Sequence, residues 1–145
     1  NTSNMTSSVQ HATISTPSEN ILNDQRLKAK GGGIFDFNEL TATNCDEYIF
    51  NYRELLDATE DDLDDLEAEF EEEERDLQKA LAALRAAQEN GDERAIRRAH
   101  EDIDAEEEEV AYVEDLLDEK AEYFRKLKIV FATMKEECPK LKARA

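Results

Sequence analysis

Residues 49–87 read IFNYRELLDATEDDLDDLEAEFEEEERDLQKALAALRAA, and the spacing of their apolar positions decides the fold. From Ile49 the positions Tyr52, Leu56, Thr59, Leu63, Leu66, Phe70, Glu73, Leu77, Ala80, Leu84 and Ala87 follow in steps that alternate three and four. A helix turns once in about 3.6 residues, so this alternation keeps one narrow stripe on one side, the seam of a coiled coil. After Asn90-Gly91-Asp92 the steps resume at Ile96 and pass through Ala99, Ile103, Glu106, Val110, Val113, Leu117, Lys120, Phe124, Leu127, Phe131 and Met134 to Cys138 and Leu141. A connection this short between two long helices permits only reversal. The expected fold is all-α: a long antiparallel two-helix coiled-coil hairpin over residues 44–145, turning at 89–92, each arm about 65 Å long. Pro139 is expected to mark its last turn.

An antiparallel seam has an internal check, because the residue numbers of all facing pairs must share one total. Pairing Ala87 with Ile96 beside the turn sets that total, which then pairs Leu84 with Ala99, Phe70 with Val113, Leu56 with Leu127 and Ile49 with Met134. The last layer joins Cys45 to Cys138, the two cysteines of the chain. Facing seam positions bring Cβ atoms near the distance a disulfide needs, so Cys45 and Cys138 are the disulfide candidate.

Composition points the same way. Charged residues make up 38%, Trp is absent and Gly numbers four, which is how long helices read. The formal charge of −19 leaves no basic face for nucleic acid or for an anionic membrane, and no stretch approaches the roughly 20 apolar residues that span a bilayer.

Two zones precede the hairpin. Residues 1–16 are rich in Ser, Thr and Asn and uncharged, the composition of a flexible polar arm. In residues 17–43, Thr16-Pro17-Ser18-Glu19 has the capping-box arrangement, so a short helix is expected from Pro17, ended by Gly31-Gly32-Gly33. Ile34, Phe35, Phe37 and Leu40 then form an aromatic adhesive segment beyond a glycine hinge.

Residues 66–78 carry seven acids and one Arg75, and the register sets them beside Glu107, Glu108, Glu109, Glu114 and Asp115. The resulting acidic belt includes Glu69, Glu72, Glu73, Glu74, Glu106, Glu107, Glu108 and Glu109, with Glu73 and Glu106 on the seam itself. Its simplest role is a solvated face; a basic protein is the partner it would suit. EF-hand spacing is missing, and His100 lacks the Glu three residues before it that a di-iron bundle needs, so no metal or other cofactor is expected. His11 and His100, the two histidines, assemble no catalytic triad, and a two-helix rod offers no concave pocket, so no catalytic residue is assigned.

Toward the cysteine end, Tyr48, Leu55, Leu116, Tyr123 and Val130 widen the apolar stripe along one edge, and Phe50 adds an aromatic nearby. A two-helix seam does not use these residues, so the edge requires a cover. The candidates are the chain's own 17–40 segment, as a third helix along the base, or the same edge of another copy. In its Ser/Thr/Asn-rich start followed by a helical hairpin, the chain is similar to secreted needle or filament subunits and to phage virion proteins. That likeness implies a structural subunit contacting other copies or other subunits of an assembly and projecting an acidic rod, with virion or extracellular sites favoured over the cytoplasm. The alternative is an acidic intracellular chaperone or adaptor for a basic or helical client.

Overall fold

The computed structural model describes residues 30–145. The polar arm, the capping box at Thr16 and the helix expected from Pro17 lie outside the described residues. Two long helices, α1 (Cys45–Asn90) and α2 (Glu93–Arg144), pack against each other as an all-α helical hairpin, with no strand among the described residues.

The reversal is built from backbone hydrogen bonds. Gly91, at φ 69°, donates to the Gln88 carbonyl, and Asp92 N–H donates to that of Ala87, so two carbonyls left open by the end of α1 are satisfied. The same Asp92 then starts α2: its carboxylate accepts from Ala95 N–H at 3.1 Å and its carbonyl from Ile96 N–H at 2.9 Å. One residue thus closes one helix and caps the next.

At the other end α1 is entered through a reciprocal pair. Thr41 Oγ1 accepts from Asn44 N–H, and Asn44 Oδ1 accepts from Thr41 N–H at 2.8 Å, a capping box with Asn in the Glu position. Asn44 Nδ2 also donates to the Glu39 carbonyl, which ties the preceding segment to the helix start.

The chain divides into two compact units, which share both helices. The base unit comprises, among described residues, 30–58 and 122–145. Its core is Phe37, Leu40, Cys45, Val130, Met134 and Cys138, with Ile34, Phe35, Tyr48, Ile49, Tyr52 and Leu141 packed around them. Leu127, Val130 and Met134 are completely buried, each contributing about 1.5–3 kcal/mol by removal from water.

Described residues of the chain's own segment cover part of the apolar edge in this unit: Phe37 and Leu40 share the buried cluster with Val130, and Ile34 and Phe35 pack there together with Tyr48. Lys30 and Gly31 are helical; Gly32 and Gly33, at φ 56° and 79°, turn the chain, and a single 3-10 turn at Phe37–Glu39 brings it to α1. Asp36 caps that turn through Asn38 N–H. Apolar side chains at 34, 35, 37 and 40 are too closely spaced for one helical face, and an irregular strap lets all four turn inward.

Pro139 lies inside the final turns of α2, which continues to Arg144. A proline inside a helix removes one hydrogen bond. Cys138, Leu141 and the Lys142–Asp46 ion pair hold the final turns against the start of α1.

In the second unit, 59–121, most of the burial falls on the positions of the three-four alternation. Thr59, Ala87, Ala99, Ile103 and Val113 are buried, the remaining seam positions are half-buried, and nearly all flanking residues are exposed.

Candidate functional site

At the base, Phe35 is the hub. Its ring stands edge-on to Phe37, Tyr48 and Tyr52, with centroids 4.9, 5.0 and 5.7 Å away. Such edge-to-face pairs contribute about 0.5–1.5 kcal/mol beyond burial. Burial raises the Tyr52 phenol above its ordinary value of 10.0, with Tyr123, Tyr48 and Glu39 adding to the effect. Cys45 and Cys138 are joined by a disulfide with Cα atoms 5.8 Å apart, across 93 residues of sequence. On the chain-entropy account a bridge of that span contributes on the order of 4 kcal/mol. Both sulfurs are used by this bond, so neither is a thiolate ligand beside Asp46.

The residues expected to make contacts are distributed unevenly. Phe37, Leu40 and Val130 are buried, and Ile34, Phe35 and Tyr48 are half-buried in the same cluster. Leu55 and Leu116 are half-buried, and Tyr123 is 36% exposed at the margin. Phe50 is 57% exposed and stands apart from the cluster. Two cations approach the Phe131 ring, Lys135 at 4.7 Å and Arg53 at 5.5 Å from its centre.

Two features escaped the heptad reading. Thr133 is buried although it is polar and off the seam, and its hydroxyl donates to the Ile129 carbonyl at 2.8 Å. The 126, 130, 133, 137 spacing could have shown a second covered stripe on α2, because those steps also fall on one helix face. Charge is also more concentrated than the belt alone suggests. Residues 59–121 hold 26 acidic against seven basic side chains, so the whole formal charge of −19 belongs to that unit.

Within the acidic unit Glu69, Glu72, Glu74, Glu107, Glu108 and Glu109 are exposed, whereas Glu73 and Glu106 are half-buried. Carboxylate oxygens of Glu73, Asp76 and Glu106 lie within 4.8 Å of one another. Burial raises the Glu73 carboxyl above the ordinary 4.5, reinforced by Glu106, Glu109 and Asp76. Glu106 Oε1 is buried without a hydrogen-bond partner. His100 is exposed. Among the described residues, no helix is long and apolar enough to cross a membrane. No known family model, curated protein or solved structure matches this chain.

Proposed function

We propose that the chain is a non-enzymatic structural subunit of a larger assembly, of the virion or secreted-appendage type. In this reading α1 and α2 form an antiparallel two-stranded coiled coil, the base carries the subunit contacts, and residues 59–121 present charge. Four cross-helix pairs support the antiparallel arrangement: Asp46 with Lys142, Arg53 with Phe131, Asp62 with Lys120, and Glu73 with Glu106. Residue numbers rise along one helix as they fall along the other.

The Cys45–Cys138 disulfide carries the functional reading. Disulfides persist in oxidising compartments and on virion or cell surfaces, and are rare where glutathione keeps thiols reduced. A chain whose two cysteines are spent on clamping its base is suited to bearing load outside the cytosol. Tyr123 and Phe50 leave aromatic surface in this unit for a neighbouring subunit.

Light scattering on the full chain, eluted from a sizing column with the disulfide intact, tests the reading. The expected result is ordered self-association that Tyr123→Glu weakens while helix content is retained. A 16.6 kDa monomer at every concentration contradicts it. The concentration of the entire net charge in residues 59–121 favours a second reading, an acidic adaptor for a basic client. A monomer that binds a lysine-rich helical peptide at physiological salt supports that alternative.

A further inference from the structure

Glu73 and Glu106 occupy seam positions that a coiled coil ordinarily fills with apolar side chains, and both are half-buried. Glu106 Oε1 is shielded from solvent and accepts no hydrogen bond, which carries a desolvation cost that an exposed carboxylate avoids. The charged groups acting on Glu73 are Glu106 and Glu109 from α2 and Asp76 from its own helix, all of them acids. Oxygens of Glu73, Asp76 and Glu106 lie within 4.8 Å of one another, so like charges there repel. A proton supplies what is missing: it removes one charge and creates one donor.

We propose that Glu73 and Glu106 form an acid-operated clasp between the two helices. On mild acidification one proton settles on Glu73, whose carboxyl then donates to the Glu106 carboxylate and ties α1 to α2 at that layer. At neutral pH and above the same pair repels and weakens the layer. The clasp lies in the only part of the chain that is strongly acidic, where no basic side chain is among the groups acting on Glu73.

The sign follows from linkage. The Glu73 carboxyl titrates above the ordinary 4.5 in the folded chain, first through burial and then through its acidic neighbours. A group whose pKa is higher folded than unfolded stabilises the fold fully below the unfolded value, and that contribution disappears as pH rises through the folded value. Acid therefore stabilises this layer, opposite to ordinary acid denaturation. Relief of diffuse repulsion across the belt has the same sign, so a control acid is required, and the exposed Glu72 next to Glu73 provides it.

The test is thermal unfolding of the full chain, followed by circular dichroism at fixed ionic strength, from about pH 7.5 to about pH 4.5. The wild-type midpoint should climb as pH falls, and Glu72→Gln should keep the climb. Glu73→Gln, whose amide donates at every pH, should start higher at neutral pH and climb less; Glu106→Gln should also flatten the profile. Equal slopes in Glu73→Gln and Glu72→Gln would assign the effect to the belt as a whole and overturn the clasp. Carboxyl-carbon NMR gives a second, direct readout: the Glu73 midpoint should stand above the ordinary Glu value and fall in Glu106→Gln. A Glu73 midpoint at the ordinary value, or one that Glu106→Gln leaves unmoved, also overturns it.

Discussion

The Phe35 ring meets the Tyr48 ring edge-on, with centroids 5.0 Å apart and planes at 68°. Through that contact the strap is anchored to α1, and Phe37 and Tyr52 complete the arrangement. Phe35→Ala removes all three ring contacts from a half-buried site and should cost about 2 kcal/mol, below the usual range for a fully buried Phe. Urea unfolding measures the loss. Helix content should remain, because the seam does not include Phe35.

The reversal at Gly91 offers a purely backbone test. Its φ is 69°, and a Cβ built there would meet nothing within 4 Å. Gly91→Ala should therefore destabilise by about 1 kcal/mol through conformation alone, and Gly91→Asn by less, since Asn tolerates the left-handed region. Equal stability of all three in denaturant unfolding would mean that the turn relaxes into another form.

The two helices were legible in the sequence because the three-four alternation leaves little freedom. Every seam position from Ile49 to Ala87 and from Ile96 to Leu141 is buried or half-buried, including the polar Thr59, Glu73, Glu106 and Lys120. The strap was only partly legible. Ile34, Phe35, Phe37 and Leu40 announced an adhesive segment, but its path depends on the Asp36 cap, the glycine turn and the Thr41–Asn44 box, whose local hydrogen bonds leave no periodic trace. Thr133 was hidden by its polarity, since its hydroxyl is satisfied within its own helix. Phe50, expected among the contact residues, is exposed and lies outside the cluster.

Neutralising exposed members of the belt should help folding modestly. Glu72, Glu108 and Asp115 are exposed, and the combined variant Glu72→Gln, Glu108→Gln, Asp115→Asn should gain a few tenths of a kcal/mol per site at low salt. Added salt should raise the wild-type melting temperature more than that of the variant, because screening already removes the same repulsion. A variant less stable than wild type would mean that these carboxylates hold something.

The proposed role of the base depends on Cys45 and Cys138 being joined in the protein as it exists in its own compartment. The most direct measurement is a non-reducing digest of protein whose free thiols were alkylated before isolation, read by mass spectrometry. The expected result is one disulfide-linked species containing the Cys45 and Cys138 peptides, with neither cysteine alkylated. Two alkylated cysteines and no linked species would contradict both the covalent clamp and the oxidising setting proposed for the assembly.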